Sequence, residues 1–203
     1  MYYYLKVSVI MAILIMAILF IAMNLFVSDS VRKGREGERR VAGILKRYAK
    51  KNHAKVINNI YLPLYEKTSQ IDHIVFGGFG IAVIETKNMS GKITGRGEKL
   101  KHTVGKKTYE MYNPNYQNKT HANNLKYHLF QAGYKGVPIY EITVFVGDNI
   151  EVSKSIGINI KDLMPKLCSL PDKSCDYKGM YEAVWSRRVT SPIKKLMHKH
   201  YKH

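Results

Sequence analysis

Apolar residues follow one another from Val7 to Val27 with Ser8 and Asn24 as the only strongly polar breaks, and no charge falls between Lys6 and Asp29. At about 1.5 Å per residue, such a run made helical is long enough for a hydrocarbon core of about 30 Å. The pattern therefore predicts a transmembrane helix, with residues 5–28 in the membrane. Tyr2, Tyr3 and Tyr4 stand where an interfacial aromatic belt would lie. A cleaved signal peptide is the rival, but its apolar region is shorter and ends in a small-x-small site, for which Phe26-Val27-Ser28 is a poor match.

Past the span the period changes. Between Gly34 and Lys51, Val41, Ile44, Leu45 and Tyr48 recur at helical spacing and mark the buried stripe of an amphipathic helix. Glu38 falls on that stripe and Glu36 on the polar side, so Glu38 is expected to point inward. Lys55 to Leu64 reads as a strand that ends at Pro63. A polar turn, Glu66 to Ser69, leads into QIDHIVFGGFGIAVIETK, Gln70 to Lys87. This stretch predicts two short strands, Ile71–Phe76 and Ile81–Thr86, joined by Gly77-Gly78-Phe79-Gly80.

The few polar positions in that hairpin are the candidate chemistry. If Phe76 faces Ile81, then Asp72 faces Glu85 across the sheet. Like charges directly opposite destabilise a sheet, whereas a hard divalent cation between them reverses the sign. Lys87 lies two residues on from Glu85, on the same face, where it can bias a water toward hydroxide. A Glu-x-Lys pair on a strand is ordinarily a solvated ion pair. These strands are apolar on both faces, and charge inside such a sheet is costly unless it is paired or binds metal.

In the second half, Lys92–Gly95 reads as a short strand and Arg96–Tyr112 as a basic hairpin or loop. Its Lys99, Lys101, Lys106 and Lys107 are candidate phosphate contacts, against the alternative of a solvated charged surface. Asn113-Pro114 opens a helix to about Gln131, with Pro114 suited to its first turn. Ala122, Leu125 and Leu129 form its buried stripe. Gln117, His121, Asn124 and His128 share one polar face, from which Gln117 can approach the hairpin. His121 and nearby Lys119 are further candidates for phosphate contact, with plain surface histidines as the alternative for His121 and His128. Glu141–Val146 is a buried strand, Ile156–Ile160 an edge strand, Asp162–Leu167 a helical turn and Tyr177–Arg188 a last helix with Trp185 as a core anchor. The tail from Lys194 to His203 is basic and expected to be disordered.

Charge sharpens the picture. The chain has 203 residues, a formal net charge of +18 and a pI near 9.8, which favours polyanions or an anionic membrane surface as partners. Arg32, Lys33, Arg35, Arg39, Arg40, Lys46 and Arg47 follow the apolar span and only Lys6 precedes it, so the positive-inside rule places the rest of the chain in the cytoplasm of a single-pass membrane protein. The same cluster can lie against anionic headgroups. Cys168 and Cys175 have no metal or redox spacing and in a cytoplasmic domain are reduced.

Four blocks in order, GREGERRVAGIL, INNIYLPL, QIDHIVFGGFGIAVIETKNMSGKITG and NPNYQNKTHANNL, resemble the nuclease-related domain, NERD, of the PD-(D/E)xK nuclease-like superfamily. The resemblance runs roughly from Gly34 to Phe130. It implies a restriction-endonuclease-like αβββαβ core, a mixed sheet flanked by helices, here behind one transmembrane helix. It places the family's motif on Gly37-Glu38, Asp72, Glu85, Lys87 and Gln117. Asp72 and Glu85 are expected to hold Mg²⁺ (or Mn²⁺), with Glu38 completing the shell. The expected organisation is a membrane helix over 1–28, a NERD domain over 29–150 and a C-terminal extension over 151–203. The expected function is a membrane-anchored, Mg-dependent nuclease acting on DNA, with no small-molecule cofactor. The alternatives are a non-catalytic nucleic-acid-binding module at the membrane and a scaffold whose basic surface faces lipid.

Overall fold

A computed structural model describes residues 2–25 and 29–194, with side chains described over 6–18 and from 29 onward. The chain divides into two units, Met1–Arg35 and Glu36–His203. In the first, α1 spans Tyr2–Leu25. Its described side chains, 6–18, account for only about 20 Å of helix. Among the described residues no helix is long and apolar enough to cross a membrane. The remainder of the predicted span, including residues 19–28, lies outside the described side chains, as do residues 195–203 of the tail.

The second unit takes in most of α2, which runs Asp29–Lys51. Its elements follow as β1 (Lys55–Leu64), β2 (Lys67–Gly77), β3 (Gly80–Lys87), β4 (Gly91–Thr94), β5 (Lys99–Val104), β6 (Lys107–Tyr112) and α3 (Pro114–Gln131). They continue as β7 (Ile139–Phe145), β8 (Ile150–Val152), β9 (Ile158–Asn159), α4 (Leu163–Cys168) and α5 (Tyr177–Ser186). Strands β1-β2-β3-β7-β9 form one mixed sheet and β6-β5-β4-β8 a smaller one. β1, β2 and β3 run antiparallel, whereas β3, β7 and β9 are parallel. The architecture is a mixed α/β fold with helices on both faces of the main sheet, as the sequence predicts.

Alternation along the strands sorts their side chains into two cores. Ile74 and Phe76 of β2 and Ile81 and Val83 of β3 pack with Leu125 and Leu129 of α3 and with Met180 and Val184 of α5. Val75, Ala82 and Ile84 face the other way, against Val41, Leu45 and Tyr48 of α2 and Leu163 and Leu167 of α4. Residues past 150 are thus built into both cores. Cys168 and Cys175 are free thiols. Trp185 is not a core anchor. It is 39% exposed, stacks on Tyr181 at 6.2 Å and carries the Arg188 guanidinium 4.0 Å above its ring. An amphipathic ring held between a partner ring and a cation keeps one edge wet.

Two glycines set the approach of elements around the hairpin. Gly80 has φ +109 and closes the tight β2–β3 turn, a backbone conformation that side chains disfavour. Gly37 lets α2 come against the segment just after β3, because a Cβ there would lie 2.7 Å from Asn88 Cβ. Gly37→Val is expected to destabilise the fold by about 1–3 kcal/mol despite the better helix propensity of valine, since overpacking at a contact this close displaces the helix. Urea unfolding of the two proteins checks it. An unchanged or higher midpoint for the variant would show that the helix does not depend on that contact.

Candidate functional site

The hairpin register is the predicted one. β2 and β3 pair from Gly77↔Gly80 through Phe76↔Ile81 to His73↔Ile84, and there the ladder stops. The next pair in that register is Asp72 and Glu85. Instead of a backbone pair, Asp72 Oδ2 accepts the Thr86 backbone N–H at 2.9 Å. The β1–β2 ladder also skips this level, passing from Asn58↔His73 to Ile60↔Ile71. Asn59, beside Asp72 on β1, has φ +52, a conformation asparagine tolerates better than most residues. So the sheet loosens around Asp72 on both sides, and its carboxylate replaces a main-chain acceptor.

Glu85, 2% exposed, is the most buried charged side chain described. Its Oε1 accepts from Lys87 Nζ at 2.7 Å, and Lys87 Nζ also donates to Gln117 Oε1 at 3.0 Å. Gln117 Nε2 lies 3.4 Å from His121 Nε2, and His121 Nδ1 lies 2.8 Å from Ser69 Oγ. An amide nitrogen only donates. That assigns His121 Nε2 as acceptor and Nδ1 as the protonated nitrogen, donating to Ser69. Glu85 Oε2 is 3.6 Å from His121 Nε2, too long for a hydrogen bond, and has no hydrogen-bond partner at all. A buried carboxylate oxygen without a donor is costly.

Helix α3 is fixed over this site by polar contacts. Asn113 caps it, its side chain accepting from Asn115 N at 3.0 Å. Asn115 Oδ1 accepts from Thr143 Oγ1 of β7 at 2.7 Å, Asn118 Nδ2 donates to Val83 O of β3 at 3.1 Å, and His128 Nε2 donates to Pro63 O of β1 at 2.8 Å. The helix face predicted to be polar is indeed polar, but it is turned inward. His121 is 7% and His128 8% exposed, so neither is a surface histidine, and His121 holds Gln117 and Ser69 rather than an open phosphate surface.

Glu38 is half-buried on α2 and Glu36 is exposed, in line with their predicted directions. Glu38 and Asp72 both act on Tyr61 of β1. Burial first, and then these two carboxylates, hold the Tyr61 hydroxyl above the usual phenol range. Among the described residues, no group of three or more His, Cys, Asp or Glu side chains converges into a metal-ligand set. Asp72 and Glu85 supply the hard oxygen donors that a divalent cation takes, and Glu85 Oε2 is the oxygen left open. Lys99, Lys101, Lys106 and Lys107 lie exposed on the β5–β6 ribbon, where Lys99 pairs with Glu110 at 3.0 Å, and Lys119 is exposed on α3.

Sequence reasoning missed Ser69, placed in a turn but lying in β2, and the Thr86 amide. The first contacts a histidine 52 residues away, which no local window contains. No side-chain pattern signals the second.

The profile of the nuclease-related domain matches residues 33–146, more than half of the chain and all of Glu38, Asp72, Glu85, Lys87 and Gln117. The chain belongs to the NERD family. An uncharacterized protein of Bacillus anthracis is 32% identical over 129 residues, 60% of this chain and 61% of that relative. The chain therefore spans about three fifths of the length of the curated relative it matches. The NERD match reaches past the end of β7 and so takes in α2 from Lys33 onward, β1–β3, the β4–β6 ribbon, α3 and β7. β8, β9, α4 and α5 lie beyond it yet complete the cores around it.

Proposed function

We propose that this NERD protein is a membrane-anchored, Mg-dependent nuclease that hydrolyses phosphodiester bonds in DNA on a restriction-endonuclease-like core. The observation that carries the reading is the polar chain Glu85–Lys87–Gln117–His121–Ser69, in which Glu85 Oε2 is buried with no hydrogen-bond partner and has only His121 Nε2 nearby, at 3.6 Å. A buried carboxylate oxygen left open beside a lysine is available to a hard cation.

Asp72 and Glu85 would hold the ion, with Glu38 reaching it directly or through water. When bound, the ion would supply Lewis-acid charge at the phosphate and a water of lowered pKa. Lys87, whose side chain is 28% exposed, is the cation of the set. Its role is to orient the attacking water and to offset charge developing on phosphorus. Gln117 holds Lys87 by its carbonyl oxygen, and His121 holds the Gln117 amide, so the ammonium is aimed rather than free to rotate.

The anchor reading rests on α1, whose described side chains include Ile10, Leu14 and Ile18, each more than half exposed. The basic residues that follow it support a cytoplasmic soluble domain. Full-length protein in detergent, incubated with DNA and RNA in Mg²⁺ or in EDTA, tests the function. Cleavage in Mg²⁺ that EDTA abolishes is expected. Binding that persists in EDTA, with no cleavage under either condition, would replace this reading with that of a non-catalytic binding module.

A further inference from the structure

One cavity of the second unit is lined by none of the residues of the acidic site. It is a cleft of about 450 Å³ between α2 and the turn that follows β9, lined by Arg39, Arg40 and Arg47 of α2 and by Lys161, together with Gly43, Ile44 and Ile160. The cleft belongs to the layer on which α2 packs, the helix that also carries Glu38, whereas Gln117 and His121 come from α3 on the other face of the sheet. No carboxylate lines it. All four cations are exposed, and none makes an ion pair or a side-chain hydrogen bond among the described residues. Glu36, four residues before Arg40 on the helix, forms no ion pair with it. Four like charges converging on a concavity repel one another, and an anion seated among them reverses that sign.

The geometry points to a second phosphate-binding site, in which this cleft holds a stretch of nucleic-acid backbone that the Asp72–Glu85 site does not touch. Guanidinium groups present planar forks that match phosphate oxygens two at a time, and three of the four cations are arginines. Backbone phosphates are the anion source favoured here over lipid headgroups. Stable seating on a bilayer uses an apolar face beside the basic one. None of the large exposed hydrophobic side chains described belongs to α2 beyond Val31 or to the β9–α4 segment. Ile44 and Ile160 are half-covered. The site would fix nucleic acid without reading its sequence, since contacts to phosphate position a duplex and carry no base information.

The ligand's identity rests on the nucleic-acid reading above, and the test separates the two. Binding of a labelled duplex to the full chain in detergent is measured by anisotropy in EDTA across a salt series, so that no cleavage intervenes. Arg39→Gln/Arg40→Gln/Arg47→Gln is expected to reduce the slope of log K against log salt by about three, and Arg47→Gln alone by about one, because each lost phosphate contact removes roughly 0.9 from that slope. Thermal melting of both variants checks that they fold, and the single exposed substitution remains informative if the triple variant does not. An unchanged slope for folded variants overturns the proposal. So does a loss confined to binding of phosphatidylserine vesicles, which would make the cleft a headgroup site. Cleavage by the unmodified chain in Mg²⁺ with an unchanged slope would sink the cleft and leave the nuclease reading standing. A reduced slope with no cleavage would do the reverse.

Discussion

Lys87→Gln is expected to slow Mg²⁺-dependent DNA cleavage by about 10²–10³-fold, the usual effect of removing one preorganised donor from developing charge. Glutamine is chosen over alanine because Glu85 is 2% exposed and Lys87 is its hydrogen-bond partner at 2.7 Å. Removing that partner altogether strands a buried charge and destabilises the protein, which would be mistaken for loss of chemistry. Asp72→Asn is expected to be at least as severe. His121→Ala, two contacts away through Gln117, should lower the rate less, about 10–100-fold. Single-turnover rates with matched thermal melts give the ranking. A Lys87→Gln enzyme that cleaves at the unmodified rate would remove the lysine from the chemistry, and a His121 effect larger than the Lys87 effect would reverse the order of the chain of contacts.

Acidification is expected to weaken the fold between about pH 6.5 and 4 through His73. This side chain is 1% exposed, and burial lowers its pKa to about 4. Nδ1 donates to Asn58 Oδ1 at 2.7 Å, and Nε2 has no partner. A second proton would therefore place charge on a buried atom that nothing accepts. Between the two pKa values the unfolded chain binds a proton that the folded chain does not, so stability rises with pH there and is lost as pH falls from 6.5 toward 4. Complete titration removes on the order of 3 kcal/mol, a large share of a typical domain's stability. His73→Gln keeps a donor for Asn58 and cannot titrate. Urea midpoints measured across this window should fall less steeply for the variant, by about one proton. Parallel pH profiles for the two proteins would show that His73 does not titrate in this way.

The parts of the fold that were legible were those governed by period and by turn chemistry. The hairpin register followed from two apolar strands and a glycine turn, and the start of α3 from Asn113-Pro114. The inward direction of Glu38 followed from the stripe of Val41, Leu45 and Tyr48. Asymmetry between polar and apolar faces misled where polar groups are buried. His121 and His128 looked solvated because an amphipathic helix ordinarily turns such residues outward. Their partners are main-chain and side-chain atoms of distant strands, which no local window contains. Trp185 failed in the opposite sense, since size alone suggested burial. The C-terminal segment was set apart as an extension because its hydrophobic signal is short. Yet Leu163, Leu167, Met180 and Val184 complete the two cores from either side.

The hydrogen bonds from α3 to three different strands have a mechanical consequence. A helix held only by oily contact can roll about its axis or creep by part of a turn at small cost. One tethered through Asn115, Asn118 and His128 must break directional bonds before it can do either. Gln117 is thereby indexed to β3, and thermal motion of the helix is not passed on to the ammonium it steadies.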